Sequence, residues 1–456
     1  MAETAARIED EALTPALVAA VLDAAAAGDA PRLTGLLDPL HAADIADLLE
    51  QIEPSDRQAL LALWGRQIDG EILSEIDEAI REEVIESLPA EVVAEAVREL
   101  DTDDMVDILE DLEEPQQARI LGALEGADRL AVQQALAYPE YSAGRLMQRE
   151  LVIAPLHWTV GETIDWLRAA TDLPDQFYHV ILVDPRMHPQ GYVTLGRLLS
   201  ARRDTALTAL TEDSFRTVPA TESETEVAWI FTQYHLISLP VVDAAGRLAG
   251  VITIDDAMTV LDEEHEEDLL RMAGVGDEAS LSDSVAQAAR GRALWLGVNL
   301  VTAILASLVI DLFAATIEAL VALAVLMPVV ASMGGNAGTQ TMTVAVRALA
   351  TRDLTARNML RVIRREVAVG AVNGLLFGTV MAGVTALWFG LPMLALVIGL
   401  AMVLTLVAAA LGGILIPVGL DRLGIDPALA SGPFVTTVTD VVGFLAFLGL
   451  AAAVLL

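Results

Sequence analysis

From Pro427 to Leu456 the chain reads PALASGPFVTTVTDVVGFLAFLGLAAAVLL, thirty residues with a single charge, Asp440. An α-helix rises about 1.5 Å per residue, so this stretch can cross the ~30 Å hydrocarbon core of a bilayer. Three further uncharged stretches precede it, and the turn Trp388-Phe-Gly-Leu-Pro392 divides the last of them. The sequence therefore predicts five membrane spans, at about 293–312, 319–346, 367–389, 392–420 and 429–455.

The charge is distributed very unevenly along the chain. The formal net charge is −38, yet the seven acidic and seven basic residues from Ala293 to Leu456 cancel, so the whole excess lies in residues 1–292. An acidic surface repels nucleic acid and attracts cations, and no nucleic-acid partner is expected. The 54% hydrophobic content argues against simple disorder. The sequence also contains no phosphate-binding loop or catalytic constellation, so we expect no enzymatic activity.

The arginines predict the orientation in the membrane. Six of them lie between spans two and three, whereas the predicted outer loops, at 311–318 and 388–392, carry no Lys or Arg. By the positive-inside rule, the acidic half is cytoplasmic and the C-terminus faces outside. The first residues lack the basic and apolar regions of a signal peptide, in agreement with a cytoplasmic first half.

The cytoplasmic half shows two kinds of pattern. Residues 1–138 carry apolar residues at three- and four-residue spacing and repeat a short motif at Asp44 and Asp104, which predicts an N-terminal α-superhelix. Residues 139–260 alternate short β-branched runs with helical segments in two similar halves, and resemble tandem α/β cystathionine-β-synthase (CBS) domains. A connecting helix at 261–292 and an all-α five-helix transmembrane domain at 293–456 complete a multidomain fold.

Asp440 is the first candidate for a pore residue. A lipid-facing carboxylate at mid-span costs at least ~2.5–3.5 kcal/mol, so an acid there is expected to face a water-filled path or a partner. Thr436 lies one helical turn earlier and adds a hydroxyl to the same face. The alternative is a protonated or paired structural acid.

Span two offers a second polar segment, Gly334-Gly-Asn-Ala-Gly-Thr-Gln340. Tight helix packing would explain the glycines, but not Asn336 beside them. Glycines also let backbone carbonyls such as that of Gly335 face a pore. Mg²⁺ prefers carboxylate, carbonyl and amide oxygens and keeps much of its water, and Asp440 with Asn336 meets that need. The same chemistry admits Mn²⁺ or Co²⁺.

Acidic residues cluster twice in the cytoplasmic half. The first cluster contains Asp101, Asp103, Asp104 and Asp107, and the second occupies 255–268. A charge run is usually a solvated face. If the two clusters face one another, divalent cations would draw them together and ion loss would separate them.

Taken together, these motifs resemble the MgtE family of Mg²⁺ channels over nearly the full length. The resemblance is carried by five segments: Tyr138–Met147, the paired CBS repeats, Gly334–Gln340, Arg347–Asp353, and Asp426–Pro433 leading to Asp440. It implies a homodimer in the plasma (inner) membrane of a prokaryote, with Asp440 of both subunits holding hydrated Mg²⁺. It further implies a plug helix that closes the pore when cytoplasmic Mg²⁺ binds the sensor. The implied sensor residues are Asp103, Asp104, Asp107, Asp255, Asp256 and Glu264.

Two positions depart from the family pattern. The first CBS repeat has Arg197 three residues after Thr194, where nucleotide-responsive members have Asp, and this argues against ATP binding there. The second repeat keeps the pair Thr253 and Asp256, which the resemblance implies as cofactor-binding residues. Thr259 stands where an acid is expected in the plug. The rival functions are transport of Co²⁺ or Mn²⁺, and a membrane-anchored ion or nucleotide sensor that conducts nothing.

Overall fold

The protein is seen in a computed structural model that describes residues 13–110, 112–124, 126–171, 173–174, 176–212, 215–275 and 285–455. The chain divides into two compact units, Met1–Glu264 and His265–Leu456. We call them the first unit and the second unit. Of the connecting helix expected at 261–292, residues 276–284 lie outside the described residues.

The first unit begins with a row of short helices. Their bounds are α1 Pro15–Ala27, α2 Ala30–Leu37, α3 Ala42–Gln51, α4 Pro54–Trp64, α5 Gly70–Glu75, α6 Glu78–Ser87, α7 Ala90–Arg98, α8 Thr102–Glu110, α9 Glu114–Ala123 and α10 Gly126–Ala135. One continuous apolar core, including Leu33, Leu60 and Ile108, runs through all of them. The amphipathic spacing read from the sequence therefore builds this helical domain.

Buried arginines connect successive helices of this row. Arg57 Nε donates to the carbonyl of Leu49 at the end of α3, at 2.9 Å, and its Nη1 pairs with Glu83 at 2.8 Å. One repeat later, Arg81 Nε donates to the carbonyl of Ile76 at 3.0 Å. The last carbonyls of a helix have no partner within the helix, so each guanidinium supplies the donor that a short helix lacks.

Two similar α/β repeats follow. The first contains β1 Ile153–Pro155, α11 Val160–Ala169, β2 His179–Val183, β3 Pro189–Thr194 and α12 Leu195–Ser200. The second contains β4 Val218–Pro219, α13 Glu224–Tyr234, β5 Ser238–Val242, β6 Leu248–Thr253 and α14 Ile254–Ala273. In each repeat the first strand is parallel and the third antiparallel to the middle strand. His179 and Ser238 therefore occupy equivalent positions, as do Thr194 and Thr253.

The second unit consists of long apolar helices. Its elements are α15 Val285–Asp311, α16 Ala314–Ala319, α17 Ala322–Ala350, α18 Met359–Phe389, α19 Pro392–Arg422 and α20 Pro427–Leu455. Among the described residues, five helices are long and apolar enough to cross a membrane: α15, α17, α18, α19 and α20, which we call spans one to five. The predicted fold class, a helical N-terminal region with α/β repeats and five spans, is confirmed.

The spanning helices extend beyond the apolar stretches that predicted them. Span one begins at Val285, eight residues before the uncharged run that starts at 293. Span three begins at Met359, eight residues before the uncharged run that starts at 367. Span two begins later than expected, at Ala322, because a separate short helix, α16, ends at Ala319. Hydropathy marks where a helix enters the hydrocarbon, whereas hydrogen bonding continues it into the charged interface.

Glycines set the close packing of spans three and four. A Cβ built on Gly370 would lie 2.7 Å from the carbonyl oxygen of Leu406, and one on Gly378 would lie 2.7 Å from that of Gly399. Any larger residue would push the two backbones apart. This is the small-residue packing that membrane helices use in place of a hydrophobic driving force.

Candidate functional site

Spans two and five meet along a seam of small residues. A Cβ added to Gly338 would lie 2.7 Å from Val435 Cγ1 and 3.0 Å from Thr439 Cγ2. A Cβ added to Gly334 would lie 3.5 Å from Thr439 Cβ and 2.7 Å from a methyl group of Thr405 in span four. The glycines quoted in the sequence therefore serve packing at 334 and 338, and this packing fixes how the polar residues beside them are presented.

Asp440 and Thr436 lie one turn apart on span five, outside this seam. Asp440 is partly exposed and Thr436 is exposed. The Thr436 hydroxyl donates to the carbonyl of Gly432 at 3.0 Å, and the Thr437 hydroxyl donates to that of Pro433 at 2.6 Å. Because the hydroxyl hydrogens are bonded to the helix, the oxygen lone pairs are left to accept from water or to face a cation.

Asn336 lies on an exposed polar face of span two. Its Nδ2 donates to Ser332 Oγ at 3.5 Å, which leaves the amide oxygen as a free acceptor. A Cβ built on Gly335 would find no atom within 4 Å, so the backbone there is open. The exposed polar face comprises Ser332, Asn336, Thr339, Gln340 and Thr343. Ser332 was not among the predicted residues, although its position four residues before Asn336 places it on the same face.

The described residues assemble no ready-made metal centre. In the ranges that the structure describes, no three or more His, Asp or Glu side chains are placed to hold one metal ion. Asp440 is therefore not part of a group of three or more such ligands among the described residues. Such a site suits an ion that keeps most of its water, since water then fills the remaining positions.

The acidic residues at the start of α8 form part of a buried electrostatic cluster in the first unit. Asp103 is 8% exposed, and burial together with the carboxylates of Asp256, Asp104 and Asp101 raises its pKa well above the usual range. Burial and the same kind of neighbours raise the pKa of Asp104 to about 7. Desolvation and like charge both disfavour the ionised form, so a cation at this point would stabilise it.

The opposing side of the cluster is the start of α14. Burial raises the pKa of Asp256 to about 6, while its hydrogen bonds to Thr253 and the charges of Asp255 and Asp101 act as smaller influences. The hydroxyl of Thr253 donates to Asp256 Oδ2 at 2.6 Å. The two acidic segments are thus close enough to influence each other's ionisation. Asp101 belongs with them, although the predicted sensor set omits it.

Two predicted sensor residues have partners of their own. Asp107 Oδ2 lies 2.8 Å from Arg81 Nη1, so its charge is largely compensated within the helical domain. Glu264 accepts a hydrogen bond from the Thr225 hydroxyl of α13 at 2.5 Å. The sequence spacing carried no signal for either contact, because both partners come from distant helices.

The cleft between the two CBS-like repeats is small. His179 Nδ1 and Ser238 Oγ lie 2.6 Å apart across it, and burial lowers the pKa of His179 to about 4. The cavity beside them, which is lined by residues such as Tyr178 and Val251, has a volume of about 30 Å³. That volume holds one or two water molecules. Arg197, the residue that departs from the family pattern, pairs with Glu212 at 3.1 Å.

Comparison with protein families identifies three segments of the chain. Residues 327–450 match the model of MgtE, a divalent cation transporter, and residues 40–141 match the MgtE intracellular N domain. Residues 209–263 match the CBS domain. The matched segments correspond to most of spans two to five, the helical row from α3 onward and the second α/β repeat.

Whole-chain relatives extend this similarity. The magnesium transporter MgtE of Thermus thermophilus is 35% identical over 96% of this chain and 98% of its own length. The magnesium transporter MgtE of Bacillus subtilis is 26% identical, over 92% and 93% respectively. Among solved structures, the cytosolic domain of the Mg²⁺ channel MgtE in complex with ATP is 29% identical, with a TM-score of 0.49, and covers 53% of this chain and 99% of that chain.

Proposed function

The chain belongs to the MgtE family of magnesium transporters, and from that membership we propose that it conducts Mg²⁺ across the membrane along a path lined by spans two and five. It is a multi-pass membrane protein with a cytoplasmic N-terminal domain. A transporter is not an enzyme, and the residues singled out here bind and guide an ion without changing a covalent bond.

One observation carries the proposed path. Asp440 and Asn336 lie on partly or fully exposed polar faces of helices that otherwise carry apolar side chains. Hydrocarbon cannot solvate a carboxylate or an amide, so these faces require water or protein against them. Asp440, with Thr436, Asn336 and the open backbone at Gly335, supplies oxygen acceptors around such a water-filled path.

The same faces support a homodimer. Among the described residues of one chain they stay partly or fully exposed, because the seam at Gly338 and Thr439 turns them away from the packed interior of the bundle. A second copy related by a two-fold axis would bring two Asp440 carboxylates to one pore. Two carboxylates would hold a hydrated divalent cation more strongly than a monovalent one. Bilayer lipid would cover the remaining apolar surface.

Gating is proposed to follow from the acidic cluster in the first unit. Asp103, Asp104 and Asp256 are difficult to ionise together, and Mg²⁺ bound among them would remove that penalty. Asp255, whose charge raises the pKa of Asp104 and Asp256, lies beside them. High cytoplasmic Mg²⁺ would therefore hold α8 and α14 together and favour a closed pore, whereas Mg²⁺ loss would let them separate. Asp107 and Glu264 would contribute less, because each already has a partner in the chain.

The orientation proposal places the C-terminus outside. Arg361, Arg364 and Arg365 lie in the first turns of span three, at the same end as the arginines that close span two. Positive charge at that end, and none between spans one and two, supports a cytoplasmic face there. An odd number of spans then puts the end of span five on the opposite side.

Flux through the reconstituted chain tests the proposal. We expect Asp440→Asn to lower Mg²⁺ entry into proteoliposomes at least about tenfold, because an amide cannot replace the carboxylate charge opposite the ion. Asp421 is an exposed acid in the last turn of span four. Asp421→Asn is the matched control and should conduct normally. Equal flux in all three proteins would exclude Asp440 from the path.

The rival ions are separated in the same assay. Mn²⁺ and Co²⁺ have the same charge and similar oxygen chemistry, so competition at equal concentration measures selectivity directly. Mg²⁺ entry that persists in a small excess of either ion supports the proposal. If wild-type vesicles admit no divalent cation at all, the chain is the non-conducting sensor instead.

A further inference from the structure

The last turn of α14 is joined to the start of span five by an ion pair. Arg271 Nη1 lies 3.4 Å from Asp426 Oδ2, and Arg271 Nη2 lies 2.7 Å from Glu267 Oε2 on the same helix. The exposed fractions of these side chains are 21% for the arginine and about a third for both acids. Partial burial reduces the screening of this contact by salt.

Asp426 is a fixed point on span five. Its Oδ1 accepts a hydrogen bond from the backbone N–H of Ala428 at 2.7 Å, in the first turn of α20. This N-cap bond fixes the carboxylate relative to the helix axis. The two carboxylate oxygens thus have separate partners, one in the spanning helix and one in α14. A displacement of Arg271 is therefore passed to the first turn of span five, which is a helix, and not to a flexible loop.

An apolar contact accompanies the ion pair. Met272, the next residue of α14, packs against a buried cluster in the second unit formed by Met342 and Val346 of span two with Ala428 and Val435 of span five. Val435 also lines the seam with Gly338. The contact made by Met272 therefore continues directly into the packing of the two helices that present Asn336 and Asp440.

The helix end itself has a defined geometry. Gly274 adopts a left-handed conformation with φ +70°, its N–H bonds to the carbonyl of Arg271, and the N–H of Val275 bonds to that of Leu270. This is the Schellman pattern that ends many helices. A Cβ built on Gly274 would lie 3.6 Å from Cβ of Trp295 in span one. Residues 270–275, which we call the docking turn, therefore contact spans one, two and five.

We infer that Arg271 is a positioning residue that couples the helix leaving the acidic cluster to the ion path, by clasping Asp426 at the cytoplasmic end of span five. α14 is one continuous helix from Ile254 to Ala273, so it carries Asp256 near its start and Arg271 near its end. Through this contact, which we call the clasp, a movement of α14 is passed on to spans two and five. The inference rests on the proposed function and deepens it, because it names the contact through which regulation reaches the path.

Flux at two Mg²⁺ concentrations on the side of the N-terminal domains provides the functional test. By the gating proposed above, raising Mg²⁺ on that side should slow influx into wild-type proteoliposomes. We define the inhibition ratio as the influx at low Mg²⁺ divided by the influx at high Mg²⁺. We expect Arg271→Gln to keep the influx at low Mg²⁺ and to reduce this ratio about tenfold, since coupling between sites is typically worth that much. Arg271→Lys retains the charge and should restore most of the ratio. Arg357→Gln, an exposed arginine in the loop between spans two and three, is the matched control.

Asp426→Asn separates the clasp from the helix cap. Asparagine still accepts the hydrogen bond from Ala428, but it loses the charge that attracts Arg271. We expect it to reproduce the effect of Arg271→Gln. If only a variant that also removes the cap, such as Asp426→Ala, alters the inhibition ratio, helix capping is responsible and the clasp is excluded.

A structural readout that does not depend on transport is available because the chain has no cysteine. Spin labels at Leu269→Cys and Leu423→Cys occupy exposed positions, 65% and 75% accessible, on the two sides of the clasp. We expect a narrow distance distribution in the labelled wild type and in the Arg357→Gln control. Arg271→Gln and Asp426→Asn should broaden it.

The two readouts together decide the inference. Loss of inhibition with a broadened distribution supports the clasp. A narrow distribution in Arg271→Gln, or a broad one with the wild-type inhibition ratio, overturns it. If the wild type conducts Mg²⁺ without inhibition, or conducts none, the gating or transport part of the proposed function fails. The spin-label distances then still show whether Arg271 holds α14 to span five.

Discussion

Arg81 holds Asp107 at 2.8 Å, one helical repeat after Arg57 holds Glu83 in the same way. Both guanidinium groups are buried and donate to backbone carbonyls of the preceding helix. The difference lies in their surroundings, because Asp107 is also one of the charges that raise the pKa of Asp104. Arg81 therefore compensates a negative charge at the edge of the acidic cluster, whereas Arg57 has a structural role alone.

Removing Arg81 is expected to strengthen cation binding. In Arg81→Met, Asp107 keeps its charge without compensation, and the apparent Mg²⁺ affinity of the cluster should rise about three- to tenfold. The Mg²⁺ midpoint for protease protection of the full chain in detergent measures this. Arg57→Met loses equivalent buried bonds and should leave the midpoint unchanged. A shift common to both variants would assign the effect to lost stability.

The stability of the metal-free chain is expected to fall as the pH rises. Asp104 and Asp256 titrate near 7 and 6 when folded but near 4 when unfolded, so the folded chain binds more protons between these values. Stability from these groups is therefore greatest below pH 4 and is lost progressively as the pH rises through 6–7, on the order of 4 kcal/mol between pH 5 and pH 8.

Thermal denaturation in a chelator at constant ionic strength checks this pH dependence. The apparent Tm should decrease from pH 5 to pH 8, and millimolar Mg²⁺ should restore it at pH 8. Asparagine cannot ionise, so Asp104→Asn should reduce the dependence of the apparent Tm on pH. A Tm that rises with pH over this interval would contradict the assignment of raised pKa values.

The seam between spans two and five is expected to tolerate no side chain at Gly338. In Gly338→Ala the new Cβ meets Val435 and Thr439 at 3.0 Å or less, so the helices must separate and the path must widen or distort. Mg²⁺ flux should fall at least about threefold, with a lower apparent Tm. Gly383→Ala on span three has no neighbour within 4 Å and serves as the control. Unchanged flux in Gly338→Ala would show that the seam does not set the path.

Adenosine nucleotides are expected to bind weakly. The first repeat presents Arg197, already paired with Glu212, where a ribose would need a carboxylate, and Asp256 in the second repeat is bonded to Thr253. Millimolar ATP should therefore shift the apparent Tm by less than about 1 °C. Arg197→Asp should bind more tightly. A large increase in the apparent Tm of the wild type with ATP would show that Thr253 and Asp256 are sufficient for nucleotide binding.

The sequence predicted the fold class because two strong signals dominate it. The uncharged runs identified all five spans, and the three- and four-residue apolar spacing of residues 1–138 predicted the row of short helices. The helix ends were less predictable. Span one continues to Val285 because backbone hydrogen bonds extend past the last apolar residue. Domain limits at 138, 260 and 292 stay predictions.

The sites divide in the same way. Asp440 and Asn336 could be singled out from the sequence because a polar group within an apolar helix is costly, and their role in the ion path stays a prediction. The Arg81–Asp107 pair, the Thr225–Glu264 bond and the role of Asp101 depend on contacts between distant helices, which residue spacing does not encode. The clasp at Arg271 belongs to the same class, since Asp426 lies more than 150 residues later in the chain.

The unbroken course of α14 has a mechanical consequence. Its 20 residues contain no glycine or proline, so it is a stiff rod about 30 Å long. If one end is held, a tilt of about 5° moves the other end by ~2.5 Å, close to the length of a hydrogen bond. A small change of tilt imposed on the helix at the carboxylates is thus sufficient to make or break a contact at its far end.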